Sequence, residues 1–76
     1  MTVLVTGGAG TIGSNIARLL LTQGKSVVIF DRVAPPPDGK MLAGFGDKLK
    51  VEVGHIADTA TVFDVVKNHK VEGVIH

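Results

Sequence analysis

The 76-residue chain contains no cysteine, no tryptophan and no tyrosine, and each absence removes a class of chemistry. Without cysteine there are no disulfides, no thiolate metal sites and no sulfur nucleophile. Three phenylalanines are the only aromatic residues, which leaves no platform for stacking nucleic-acid bases. Charge is sparse and balanced, with a formal net charge of +1, so nothing draws the chain toward nucleic acid or an anionic membrane. No apolar run approaches membrane-spanning length, and the N-terminus lacks the basic and apolar segments of a secretory signal. A soluble, cytoplasmic protein is the expectation. The three histidines, His55, His69 and His76, are too scattered to form a metal set or a catalytic triad, and read as a loop, a helix-end and a strand residue.

Glycine, by contrast, is plentiful, with ten residues. The informative cluster is Thr6-Gly7-Gly8-Ala9-Gly10-Thr11-Ile12-Gly13, directly behind the apolar run Val3-Leu4-Val5. A short β-branched and leucine run reads as a buried parallel strand. Behind the cluster, Ile12, Ile16, Leu19 and Leu20 recur with helical spacing, which predicts an amphipathic helix over 11–23 with these four on its buried face and Gly24 capping its end. A strand must therefore reverse sharply into a helix. Gly7 supplies the backbone freedom for that reversal, Gly10 leaves bare main chain where an anion approaches, and Gly13 lets the helix lie close on the strands. The free amides of residues 11–13 and the positive end of the helix dipole then face the anion. A dinucleotide pyrophosphate is the ligand this geometry suits. A nucleoside-triphosphate loop is excluded, because Ser14 stands where the GxxxxG spacing of Gly8 and Gly13 would require lysine.

A second apolar strand over 26–30 ends in Asp31, about 20 residues beyond the glycines, where a carboxylate accepts the ribose hydroxyls of NAD and repels the 2′-phosphate of NADP. Arg32 either pairs with a phosphate or is simply solvated. Residues 32–48 form the longest irregular stretch. Its Pro35-Pro36-Pro37 run stiffens the chain and forbids a helix, a single turn fits around Lys40 to Ala43, and the segment reads as a connector or as a surface loop beside the adenosine end of the site. A third strand is predicted over 50–53, ended by Gly54. Asp58 reads as the N-cap of a helix over 59–69 with Val62, Val65, Val66 and His69 on one face, its C-terminus rich in Lys67, His69 and Lys70. A fourth strand begins near Glu72 and runs through Gly73-Val74-Ile75-His76.

These residues resemble the N-terminal part of the extended short-chain dehydrogenase/reductases, the NAD-dependent epimerase/dehydratase family that acts largely on nucleotide sugars. The stretch from Thr6 to Gly13 resembles the family's TGxxGxxG rather than the TGxxxGxG of the shorter short-chain enzymes. Asp31-Arg32 matches the acidic end of its second strand, Gly54-His55-Ile56-Ala57-Asp58 its adenine loop, and Val74-Ile75-His76 its VIH. Thr11 stands where Phe or Tyr is common. His55 replaces an aspartate that accepts the adenine amino group. A neutral His55 still offers an acceptor, with the main chain of Ile56 as donor, so NAD affinity is expected to weaken as the imidazole protonates; the alternative is a solvated loop histidine.

The resemblance implies an α/β fold, the N-terminal half of a doubly wound Rossmann parallel sheet with strand order 3-2-1-4. Residues 1–76 would then be an incomplete dinucleotide-binding domain, with catalytic and substrate-binding parts elsewhere. It implies NAD as cofactor, a nucleotide sugar or other small molecule as substrate of the full-length protein, and binding by Gly7, Gly10, Thr11, Ile12, Gly13, Asp31, Arg32, His55 and Ile56. The family's proton transfer uses a tyrosine in YxxxK, and this chain has no tyrosine, so no residue here fills the catalytic role. A piece of an NAD-dependent epimerase, dehydratase or reductase is one expectation, and a stand-alone NAD-binding or interaction module is the other. A free apolar edge at the fourth strand favours the former and predicts self-association.

Overall fold

The computed structural model describes residues 1–34, 42 and 44–76. The expected turn around Lys40 to Ala43 and the Pro35-Pro36-Pro37 run lie outside the described residues. Strand β1 spans Thr2–Thr6, helix α1 Thr11–Thr22, strand β2 Ser26–Asp31, strand β3 Leu49–Val53, helix α2 Thr59–Asn68 and strand β4 Gly73–Ile75. The strands pair in the order β3-β2-β1-β4, all parallel, as the apolar runs alternating with helical patterns require. A single 3₁₀ turn over Gly46–Lys48 precedes β3; it was not anticipated from the sequence.

Because β side chains alternate between faces, the central strands feed two cores. Val3, Val5, Val27 and Ile29 point to one face and pack with Ala17 and Leu21 of α1. Leu4, Val28 and Phe30 point to the other and pack with Val65 of α2, with Val62, Val66 and Val71 at the margin. β1 and β2 are therefore buried on both sides, which explains their unbroken apolar sequences.

The face of α1 that meets the sheet differs from the expected one. Ile12 is 77% exposed and Leu19 59% exposed, whereas Ala17 and Leu21 are buried and Ile16 and Leu20 only border the core. The stripe facing the sheet is half-buried Gly13 with buried Ala17 and Leu21, spaced by four. Small residues occupy its N-terminal half because the helix starts hard against the glycine turn, where a large side chain would hold it off.

Both helices end in the same device. At α1 the Gly24 amide donates to the Leu21 carbonyl (3.0 Å) and the Lys25 amide to the Leu20 carbonyl (3.1 Å), with Gly24 at φ +85°; this is the Schellman geometry that satisfies the last carbonyls. At α2 the Lys70 and Val71 amides donate to the Lys67 and Val66 carbonyls (3.3 and 3.0 Å). There the left-handed position is held by Lys70, at φ +52°, a residue with a Cβ that disfavours it. At the start of α2, Asp58 caps as expected: the Thr61 amide donates to its Oδ1 (3.2 Å) and the Thr61 hydroxyl to its Oδ2 (2.7 Å). The helix stops at Asn68, one residue short of the expected span, so His69 is its C-cap, and its Nε2 lies 3.0 Å from Glu52 of β3.

Candidate functional site

The glycine turn sits at the C-terminal end of β1, and its shape follows from a few bonds. The Gly7 amide donates to the Phe30 carbonyl of β2 (2.9 Å), which holds the turn on the sheet, and the Gly10 amide donates to the Gly7 carbonyl (3.1 Å). Gly7 adopts φ +68°, the left-handed conformation in which a Cβ is costly. Ser14 Oγ donates to the Gly8 carbonyl (2.8 Å), tying the first turn of α1 back to the loop.

Close packing explains Gly13 more sharply than sequence spacing does. A Cβ placed there would run into the Gly7 carbonyl oxygen, and would stand 2.8 Å from both Gly7 C and Gly8 Cα. These are backbone atoms with no rotamer to yield. Gly8, absent from the expected site residues, is buried against β2: its Cβ would stand 2.7 Å from Cγ1 and Cγ2 of Ile29. Gly10 is different. The nearest atom to a Cβ there would be the Gly7 carbonyl oxygen at 3.4 Å, so the protein's own packing does not require glycine at this position.

Gly10 is the N-cap of α1, it makes no side-chain cap, and the first turn carries no acidic residue. Of the four amides that a helix start leaves without an intrahelical partner, Gly10 has used its own on Gly7. The amides of Thr11, Ile12 and Gly13 remain, with no acceptor among the described residues. Three parallel N–H groups at the positive end of a helix bind an anion.

On the neighbouring strand, half-buried Asp31 at the end of β2 aims its carboxylate at the turn. Oδ2 accepts the Ala9 amide (3.1 Å) and Oδ1 accepts the Arg32 amide (2.6 Å). Each oxygen retains a lone pair for a further donor. An open cleft of about 290 Å³ lies beside these groups, lined by Thr6, Gly7, Phe30, Asp31, Arg32, Ile56 and His76. Gly7, Asp31, Arg32 and Ile56 were among the expected site residues, whereas Gly10, Thr11, Ile12, Gly13 and His55 are not in its wall. Thr6, Phe30 and His76 were not anticipated. Their position at the C-terminal ends of adjacent parallel strands, where α/β sheets bind ligands, was the available signal. Thr6 Oγ1 and His76 Nδ1 stand 2.6 Å apart across β1 and β4.

His55 is placed otherwise than its expected role as an adenine acceptor requires. Its Nδ1 accepts the Ala57 amide (3.0 Å), closing the turn that leads to Asp58. A neutral imidazole whose Nδ1 accepts carries its proton on Nε2, so neither nitrogen is left as a free acceptor. At Asp58, donation from the Thr61 hydroxyl, then from the Thr61 amide, holds the carboxyl below its usual value. No group of three potential metal ligands occurs among the described residues, and no described helix is long and apolar enough to cross a membrane.

Comparison with known proteins agrees with this geometry. The model of the NAD dependent epimerase/dehydratase family matches residues 3–76. The chain is 35% identical over 79 residues to the UDP-glucose 4-epimerase of Pasteurella multocida (strain Pm70), covering 100% of itself and 23% of that protein. It is likewise 35% identical over 78 residues to the dTDP-glucose 4,6-dehydratase of Mycolicibacterium smegmatis (strain ATCC 700084 / mc(2)155), with 100% and 23% covered. Among solved structures, the UDP-glucose 4-epimerase of Bifidobacterium longum in complex with NAD+ and UDP superposes with a TM-score of 0.84 at 32% identity, over 100% of this chain and 24% of that one. The chain thus spans about a quarter of the length of these relatives.

Proposed function

Since this chain belongs to the NAD dependent epimerase/dehydratase family, we propose that residues 1–76 hold the ADP part of NAD in a nucleotide-sugar epimerase or dehydratase. The observation that carries this reading is the set of three amides, on Thr11, Ile12 and Gly13, that have no acceptor among the described residues and follow the Gly10 N-cap, with the Asp31 carboxylate bonded to the adjoining Ala9 amide. The amides take the pyrophosphate and the helix dipole adds to their attraction. Gly7 and Gly10 keep side chains out of its path. Asp31 accepts the adenosine ribose hydroxyls through the lone pairs that Ala9 and Arg32 leave free. Arg32 and Ile56 wall the adenosine side of the cleft, and His55 shapes the adenine loop by holding the Ala57 amide.

When bound, NAD supplies a hydride acceptor and donor for the substrate. The residues of this chain fix the far end of that cofactor and thereby place its reactive ring. With no tyrosine present, the proton-transfer group and the nucleotide-sugar pocket belong to other residues, and the chain alone turns over no substrate. On this reading it is part of a cytoplasmic protein that self-associates.

Calorimetric titration of the purified chain with NAD and with NADP tests the proposal. NAD is expected to bind at least about tenfold tighter, because the Asp31 carboxylate meets either two hydroxyls or a phosphate. Equal affinity for the two, or no NAD binding at millimolar ligand, would overturn it.

A further inference from the structure

Asp31 makes a bond that ribose recognition does not require. Its Oδ2 reaches back 22 residues to accept the amide of Ala9, in the middle of the glycine turn (3.1 Å), while Oδ1 is fixed by the amide of the next residue, Arg32 (2.6 Å). The carboxylate is thus clamped from two sides, and the turn is anchored to the end of β2 through it. The other anchors of the turn lie around this one: Gly7 on the Phe30 carbonyl, and Ser14 on the Gly8 carbonyl. Ala9 is the one residue of the Gly8-Ala9-Gly10 stretch whose amide is held by a side chain from another element.

We infer that Asp31 is a positioning residue for the phosphate cradle: by holding the Ala9 amide it sets the Gly8–Gly10 backbone and hence the aim of the Thr11–Gly13 amides, which couples the ribose and pyrophosphate subsites. This deepens the NAD reading and rests on it. The coupling has a sign opposite to simple electrostatics. A carboxylate beside a polyanion repels it, so deleting Asp31 would strengthen phosphate binding if the residue served the ribose alone. If it also holds the turn, deletion weakens phosphate binding even for a ligand that has no ribose.

The test uses the whole chain, as wild type, Asp31→Ala and Asp31→Asn, with inorganic pyrophosphate and adenosine as separate probes followed by amide NMR. Asp31→Ala is expected to lose at least about fivefold in pyrophosphate affinity, the scale of a charged hydrogen bond partly replaced by water. Asp31→Asn keeps one acceptor oxygen, which goes to Ala9 because the exposed Arg32 amide turns to water, and with the repulsive charge gone it binds pyrophosphate at least as tightly as wild type. Hydrogen exchange at the Ala9 amide in the ligand-free proteins gives a second readout, faster by about tenfold or more in Asp31→Ala than in Asp31→Asn. Unchanged or tighter pyrophosphate binding by Asp31→Ala, or equal Ala9 exchange in all three proteins, overturns the coupling. Wild type binding neither probe would overturn the NAD reading, while the exchange rates would still decide whether Asp31 holds the turn.

Discussion

Replacing Gly13 by alanine separates the demands of packing from those of ligand binding. The new Cβ would stand 2.8 Å from Gly7 C and Gly8 Cα, with the Gly7 carbonyl oxygen in its path. To reach ordinary contact distance, the start of α1 must move off the turn by about 0.6 Å or more. Overpacking of this kind costs about 2–3 kcal/mol, and the better helix propensity of alanine returns about 1 kcal/mol. The net is about 1–2 kcal/mol, or a Tm at least about 4 °C lower for a domain of this size. The same displacement carries three amides toward the limit of hydrogen-bond reach, so NAD affinity falls by about tenfold or more. Gly10→Ala supplies the contrast. With 3.4 Å to its nearest neighbour and φ −78° at the N-cap, it changes stability by no more than about 1 kcal/mol, yet its methyl group occupies the anion's approach and weakens NAD comparably. Thermal melts by circular dichroism and calorimetric titration of both variants read these quantities. A Gly13→Ala protein that melts with wild type and binds NAD within twofold would refute the reasoning, as would a Gly10→Ala protein as unstable as Gly13→Ala.

Other outcomes follow from single contacts. Lys70→Gly relieves the left-handed position at the end of α2 and raises stability by about 0.5–1 kcal/mol after the greater freedom of glycine in the unfolded chain is counted; an unchanged or lower denaturation midpoint would count against it. Asp58→Ala removes the cap of α2 and lowers Tm at neutral pH. Because the folded-state pKa of Asp58 is depressed, its contribution is present above the unfolded carboxylate value and fades as pH falls through the folded one. The Tm gap between wild type and Asp58→Ala should therefore close in acid, and a gap of constant width would contradict the capping account. Leu21→Ala, in the α1 core, costs about 2–5 kcal/mol, whereas Ile12→Ser, on solvent, changes stability by less than about 0.5 kcal/mol; urea titration distinguishes them, and equal losses would restore the amphipathic face expected from hydrophobicity alone.

Strand extents were legible because buried parallel strands leave a plain trace: Val3-Leu4-Val5 and Val27-Val28-Ile29-Phe30 carry apolar residues on both faces, and glycine or a polar cap punctuates each end; the strand order came from the family resemblance. The cap at Asp58 was legible for the same reason of local chemistry. The buried face of α1 was not. Ile12 and Leu19 outweigh Gly13 and Ala17 on any hydrophobicity scale, but the helix lies so close to the turn that side-chain size, not apolarity, decides which residues face inward. The second anchor of Asp31 was also hidden. Its partner is the amide of Ala9, and a main-chain donor leaves no mark in the pattern of residue types. His55 shows the converse, since its resemblance to an acceptor aspartate was visible and the local bond to Ala57 that consumes its acceptor was not.

Anion binding by main-chain amides has a consequence for how this protein tolerates change. The side chains of Thr11 and Ile12 are exposed and, on the proposed reading, would take no part in holding the phosphates, although their amides would. A saturation scan of viable variants should find these two positions permissive, with proline, which lacks the amide, the exception at both. Gly8 and Gly13, whose missing Cβ atoms would strike Ile29 and the Gly7 backbone, should accept nothing larger, although neither side chain could ever meet the cofactor. Tolerance to substitution along the turn would thus chart mainly its internal packing, with Gly10 and the exclusion of proline the few marks left by the ligand.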